Sequence, residues 1–283
     1  MITQLKTLYG RIFRELSKVN KRVCYNNLIL KIPFVRSSRS FFNFALWLYR
    51  IKFRINLKEG YIYKKDLKVY YSYIKRNLNF INGIDSRFDQ LLKAYLLKEI
   101  DFKEDDYVID CGANIGEVSL ALNHFFGVQN FVVFEPEDRE FNILKKNLSH
   151  LNTSFHNIAL FNKKGTIKFY QKNESGDSSV FETENSSVVE LVCDTLTNVI
   201  NDHNIPNVKL LKLEAEGAEP EILEGALDIL HKIEYISVDG GPERGMEQSK
   251  TLTEVSNILF KNNFDLVNIN NQKRDILLFK NKG

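Results

Sequence analysis

The sequence predicts an α/β protein whose core is an open, mostly parallel sheet with helices on both faces and an antiparallel last strand. Three observations lead there. From residue 87 onward short apolar strands alternate with amphipathic helices, the pattern of strand–helix–strand units. Phe131-Val132-Val133-Phe134 is an unbroken apolar run, as expected of a strand buried on both faces. Finally, the strands Phe264–Ile269 and Ile276–Lys280 are joined only by the polar loop Asn270–Asp275. A parallel crossover needs a dozen residues or more, so this pair must run antiparallel.

The elements follow in order. Phe88, Leu91, Leu92, Tyr95, Leu96 and Ile100 recur at helical spacing and form one apolar stripe. The charged turn Lys103–Asp106 leads into the strand Tyr107–Asp110 and a glycine-bearing loop. The next helix carries Val118, Ala121, Leu122 and Phe125 inward and stops at Gly127. After Phe131–Phe134, Pro136 with Glu137 and Asp138 suits a helix start, and Phe141, Leu144 and Leu148 give that helix its buried face. Phe155–Leu160 is the third strand, and Gly165–Tyr170 and Ser179–Phe181 suggest an added ribbon. Val188–Cys193 is a strand, after which Asp194-Thr195 can cap a short helix. Val208–Leu213, a helix opened by Glu219-Pro220-Glu221, the strand Tyr235–Val238 and a helix over Met246–Lys261 complete the body.

The charge is unevenly divided. Of 283 residues, 43% are hydrophobic and 27% charged, which excludes a disordered or fibrous chain. The net charge is only +3, yet residues 1–80 hold 18 Lys/Arg against three acids, and residues 81–283 hold 21 against 33. A basic, mainly helical head over 1–80 thus precedes an acidic body over 81–283, and such a head invites an anionic partner. Its aromatic and basic residues interleave, as in Phe41, Phe42, Phe44, Trp47, Arg50, Lys52 and Arg54. This suits an accessory helical layer with a solvated face, an interfacial membrane element, or a nucleic-acid surface. No nucleic-acid module signature accompanies it, so no nucleic-acid partner is expected. The longest apolar stretch, Phe41–Tyr49, is too short to span a bilayer. Cys24, Cys111 and Cys193 lack metal or disulfide spacing and read as free thiols. A cytoplasmic body is expected, with peripheral contact at the inner face of the membrane open to the head.

Ligands of such sheets bind at the carboxyl ends of the strands. After the first strand comes Asp110-Cys111-Gly112-Ala113-Asn114-Ile115-Gly116. Gly112 allows a tight turn and close backbone approach, and Gly116 lets the helix start near the strand. After the second strand comes Glu135, 19 residues beyond Gly116, near the spacing of an acid that accepts ribose hydroxyls. The loop begins with an acid and lacks the first glycine of a dinucleotide loop. A pyrophosphate would be repelled by Asp110, whereas the sulfonium and amino group of S-adenosylmethionine would not. The strand Val208–Leu213 ends in Lys212-Leu213-Glu214-Ala215-Glu216-Gly217-Ala218-Glu219, a row of carboxylates at the mouth. These could serve as general base, hydroxyl binder or metal ligand, and Glu214 with Asp239 could share a divalent cation. Glu219 and Glu221 could equally serve only the helix start. His156 and His203 are further candidate bases, and Arg244 could hold an anionic acceptor.

Val108–Gly116, Phe134-Glu135-Pro136, Leu211–Glu219 and Leu223-Glu224-Gly225-Ala226 together resemble the FkbM family of S-adenosylmethionine-dependent methyltransferases, over about residues 87–280. The resemblance implies a class I methyltransferase (Rossmann-like) fold with a mostly parallel seven-stranded sheet, and methyl transfer to a hydroxyl oxygen, often of a sugar or polyketide. It assigns Asp110, Gly112 and Gly116 to the donor's methionine end and Glu135 to its ribose. Asn114 and Ala159 complete the expected donor-binding set, and Glu214, Glu216 and Glu219 are the catalytic candidates. Glu214 stands where the family usually has Asp. S-adenosylmethionine is the expected cofactor, with a divalent metal left open. The expected partner is a hydroxylated small-molecule or glycan acceptor, in a setting such as polysaccharide biosynthesis. An inactive methyltransferase-like docking body and a nicotinamide oxidoreductase are the alternatives.

Overall fold

A computed structural model describes residues 43, 44, 46, 47, 51–171, 179–181, 187–203, 205–272 and 274–283. The chain forms two compact units, Met1–Asp89 and Gln90–Gly283, so the division falls a few residues beyond the charge boundary at 80.

In the first unit, β1 (Arg54–Asn56), β2 (Tyr61–Lys64) and β3 (Leu67–Tyr70) form an antiparallel meander. Ile55, Ile62 and Val69 lie opposite one another in register and are fully buried, which gives this small sheet its core face. A 3₁₀ turn over Ile74–Phe80 follows. The expectation of a mainly helical head therefore fails over the stretch from 51 to 80. Ile51, Phe53 and Ile55, buried on either side of the exposed Lys52 and Arg54, carry a strand period that the dense aromatic and basic composition obscures. Cys24 and most of the Phe41–Tyr49 cluster lie outside the described residues.

Helix α1 (Ile84–Ala94) carries the chain across the boundary between the units. The apolar stripe predicted one helix as far as Ile100. Instead α1 stops at Ala94, Leu96 takes a left-handed conformation (φ 60°), and a 3₁₀ turn runs over Leu97–Glu99. The break places Tyr95 in the site described below.

The second unit holds β4 (Tyr107–Cys111), α2 (Glu117–Phe126), β5 (Asn130–Phe134), α3 (Asp138–Leu148), β6 (Asn152–His156), β7 (Ala159–Leu160), β8 (Gly165–Gln171), β9 (Ser187–Asp194), α4 (Leu196–Asp202), β10 (Val208–Leu213), α5 (Glu219–Glu224), β11 (Ile233–Asp239), β12 (Pro242–Arg244), β13 (Ser249–Lys250), α6 (Leu252–Lys261), β14 (Phe264–Asn270) and β15 (Ile276–Asn281). The seven-stranded sheet has the order β14-β15-β11-β10-β4-β5-β6, and β15 runs antiparallel to both neighbours. Both expectations for the sheet hold. One face buries Ile109, Val132, Leu211, Leu213, Ile236 and Val238 against α4, α5 and α6. The alternate residues Val108, Phe131, Val133 and Leu210 are buried on the other face.

Two segments differ from the sequence reading. The third strand is split: β6 closes the central sheet, while β7 joins β8 and β9 in a separate three-stranded sheet. The turn at Asn157 separates them, and its side-chain amide donates to the carbonyls of Glu135 and Pro136. Residues 242–250 form a short β-ribbon, and α6 begins only at Leu252. Of the cysteines, Cys111 and Cys193 are free and buried, and burial pushes the Cys111 thiol up to about 12. Among the described residues no helix is long and apolar enough to cross a membrane.

Candidate active site

Strands β4, β5, β10 and β11 bring their carboxyl ends side by side, which is where the sequence motifs lie. The loop after β4 is tied down by its neighbours. The amides of Gly112 and Ala113 donate to the Phe134 carbonyl at 3.1 and 2.9 Å. A Cβ on Gly112 would stand 2.0 Å from the Glu214 carbonyl oxygen, so the loop lies directly against the start of the β10 loop.

Asp110 is 1% exposed. Its Oδ2 accepts the Ser119 hydroxyl at 2.8 Å, and its Oδ1 is 3.2 Å from Lys212 Nζ. Asp110 and Lys212 are register partners on adjacent strands, so their side chains share a face of the sheet. Ser237 is the next member of that row. Lys212 is as buried as Asp110, and its ammonium also donates to the carbonyls of Cys111 and Gly112 at 3.1 and 2.8 Å. Burial is the largest influence and would lower the Lys212 pKa, but the charge and hydrogen bond of Asp110 together with Tyr95 and Cys111 outweigh it and the net direction is up. Asp110 thus sits beneath the loop as its electrostatic anchor.

Glu135 is 6% exposed and accepts the amides of Asn114 and Glu137 at 2.8 and 2.9 Å. Burial pushes its carboxyl up to about 7, against the lowering effect of those hydrogen bonds. Asn114 (φ 51°) contributes its amide to Glu135 while its own side chain accepts the Ile115 amide. Gly116 stands against Leu144 and Leu148 of α3, where a Cβ would meet Leu144 at 2.9 Å. Ala159 is buried in β7, paired with Cys193.

The three catalytic candidates separate clearly. Glu219 is 1% exposed; its Oε1 accepts the amides of Ala215 and Gly217, and its Oε2 accepts the Thr251 hydroxyl. It holds the loop from within. Glu214 receives the Tyr95 hydroxyl and pairs with Arg274 and, at 3.2 Å, with Lys212. Glu216 is partly exposed at the loop apex, with φ 50°, and the Ser179 hydroxyl donates to its carbonyl.

Tyr95 and Arg274 were not singled out from sequence. Tyr95 occupies a stripe position that reads as helix core. In the fold its carbonyl accepts Ser237 Oγ at 2.7 Å, and its ring stands 5.4 Å from Lys212 Nζ. Burial raises its pKa, so it remains a hydrogen-bond donor. Arg274, from the polar loop between β14 and β15, reaches Glu214, Asp239 Oδ2 (3.3 Å) and the Tyr95 hydroxyl (3.3 Å). The positive charge between Glu214 and Asp239 is therefore this guanidinium. Among the described residues no cluster of three or more His, Cys, Asp or Glu is placed to hold a metal. Lys212 had a sequence signal: a cation flanked by leucines in a strand expected to be buried, one strand over from Asp110.

The remaining candidates are engaged elsewhere. His156 stacks on Phe134 at 4.9 Å and shares a 2.9 Å contact with Ser154; burial, then His203, lower its pKa to about 4. Arg244 forks onto Glu221 at 2.6 and 2.9 Å and lies 4.1 Å from the Phe181 ring centroid.

The sheet order, the reversed β15, the glycine loop after β4 and the acid after β5 define a class I methyltransferase architecture. The family model described as the methyltransferase FkbM domain matches residues 110–266, more than half of the chain, and the chain belongs to that family. It is similar to "Methyltransferase 1" of Beauveria bassiana (strain ARSEF 2860), with 23% identity over 151 residues, covering 45% of this chain and 61% of that one. It is also similar to "Methyltransferase sdnD" of Sordaria araneosa, with 22% identity over 192 residues, covering 55% and 71%. A solved FkbM methyltransferase from Methylobacillus flagellatus KT aligns with a TM-score of 0.48 at 16% identity, over 73% of this chain and 53% of that one. The match thus spans under two thirds of Methyltransferase 1 and about half of the solved chain.

Proposed function

We propose that this protein transfers a methyl group from S-adenosylmethionine to a hydroxyl oxygen of a sugar or glycan-type acceptor. The observation that carries the reading is the pairing, at adjacent strand ends, of the anchored Gly112 loop with the buried Glu135 carboxylate. The carboxylates at the strand ends suit a cationic donor: Glu214 and Glu216 are partly exposed there and Glu135 lies beside the loop, while Asp110 and Asp239 are buried and paired with Lys212 and Arg274. When bound, the donor supplies a methyl group activated by positive sulfur, and an acceptor hydroxyl exchanges its proton for that methyl. The chain's task is then orientation, worth several kcal/mol, and reception of the proton. Glu214 is held by Tyr95, Lys212 and Arg274, which suits it to fix a hydroxylated acceptor in place. Glu216, at the accessible loop apex, takes the proton. The acceptor class rests on the FkbM resemblance and on the hydroxyl-binding character of these carboxylates.

Labelled donor and cell-extract glycans should give a product heavier by one methyl group, read by mass spectrometry. In Glu216→Gln the turnover should fall about a hundredfold or more while donor affinity stays within about twofold. Equal activity of variant and wild type removes Glu216 from the reaction.

Glu135 adds a pH signature. Its carboxylate accepts ribose hydroxyls, so a group titrating near 7 must lose its proton to bind. Donor affinity should weaken as pH falls from 8 to 6, by up to about tenfold per unit below 7. Glu135→Gln should bind weakly and show a flat profile by calorimetry. A flat profile in the wild type would contradict the role.

A further inference from the structure

The first unit carries an amphipathic surface to which none of the candidate site residues belongs. On β1–β3 the buried row Ile55–Ile62–Val69 alternates with two rows on the opposite face, Arg54–Tyr63–Lys68 and Asn56–Tyr61–Tyr70. Arg54 and Lys68 are exposed, and Lys68 lies 5.1 Å from the Tyr61 ring centroid. Between residues 51 and 80 there are eight Lys/Arg and two acids. Glu59 accepts the Asn56 side chain, which leaves Asp66, in the β2–β3 turn, as the other. Against the open edge of β1 sits a helical turn. The Asn43 side chain donates to the Ile55 carbonyl at 3.0 Å and accepts the Ile55 amide at 2.8 Å. Leu46 of that turn is fully buried, while Phe44 and Trp47 are 54% and 59% exposed with ring centroids 5.7 Å apart. Two large aromatic side chains thus expose more than half of their surface beside the strand that carries Arg54.

We propose that this unit docks on a bilayer rich in anionic phospholipid. Phe44 and Trp47 enter the headgroup region, and Arg54, Lys68 and the neighbouring lysines face lipid phosphates. Aromatic rings at headgroup depth combined with cations are the chemistry of interfacial binding. Charge complementarity favours an anionic surface, and the rings decide which kind. A single-stranded nucleic acid needs open π-faces for its bases. The tyrosines here pack edge-on against one another, Tyr61–Tyr63 at 69° and Tyr61–Tyr70 at 65°, and Tyr61 is only 7% exposed. A bilayer asks for apolar area and positive charge without stacking geometry.

Trp47 is the chain's only tryptophan, so its emission reports this surface alone. Full-length protein is titrated with vesicles of equal parts phosphatidylglycerol and phosphatidylcholine, and with phosphatidylcholine alone. The expected result is a blue shift and loss of acrylamide quenching on the anionic vesicles only, reversed at 1 M salt, where the Debye length falls to about 3 Å. By vesicle sedimentation, Phe44→Ala/Trp47→Ala and Arg54→Glu/Lys68→Glu should each bind at least about tenfold more weakly, with unchanged circular dichroism. Unshifted emission in folded wild-type protein overturns the proposal, and so does equal binding to neutral vesicles. Binding of a single-stranded oligonucleotide without vesicle partition assigns the surface to nucleic acid and overturns it as well.

Discussion

Lys212→Met should destabilise the second unit by about 3–5 kcal/mol. The lysine ammonium is enclosed by Asp110, Glu214 and the carbonyls of Cys111 and Gly112, and its side chain is 2% exposed. Methionine fills similar space but donates nothing. Asp110 would then keep its charge in a buried position with only the Ser119 hydroxyl as partner. A buried carboxylate without its counter-charge is the costly case, whereas removing both charges of such a pair is often nearly neutral. Asp110→Asn/Lys212→Met should therefore recover much of the loss, and the four proteins form a double-mutant cycle in urea denaturation. A single variant within about 1 kcal/mol of wild type would mean that the pair carries little.

Gly112→Ala should abolish donor binding, with affinity down about a hundredfold or more. The new methyl carbon would begin 2.0 Å from the Glu214 carbonyl oxygen, a backbone atom that cannot rotate away. The loop or the start of the β10 loop must move by about 1 Å, enough to cost such a factor in a positioned site. Residue 112 also lies at φ +72°, where a side chain is strained. Gly127, at φ +78° beyond the end of α2, separates the two effects, since a Cβ there meets nothing within 4 Å. Gly127→Ala should cost only about 1 kcal/mol of stability and leave donor affinity unchanged. If calorimetry with S-adenosylmethionine shows the same loss for both, or none for Gly112→Ala, the close approach is not what matters.

Much of the site was legible because its features are local. A glycine loop after β4 and an acid after β5 each follow a strand whose apolar run is continuous, so their position at strand ends could be derived. The antiparallel β15 followed from the length of one loop. Tyr95 was hidden because its spacing also fits a helix stripe, and only the break at Leu96 turns it into the site. The ribbon over 242–250 and the split between β6 and β7 lack a regular apolar period of their own. The charge count from 1 to 80 was legible, but β1–β3 are only three or four residues long, and the tyrosines beside Ile62 and Val69 are themselves large and partly apolar, so no clear alternation stands out.

The sequence by itself determined the mostly parallel sheet, its reversed edge, the glycine-loop motif and the set of carboxylates, because periodicity and turn chemistry act over a few residues. Which partner holds each carboxylate was decided only by the tertiary structure. Glu219 is taken by the amides of its own loop and by Thr251, Asp110 by Lys212 across one strand, and Glu214 by Tyr95 and by Arg274 from the far end of the chain. Buried charge must be compensated wherever a partner can be brought, and partners separated by more than a hundred residues leave no spacing to read.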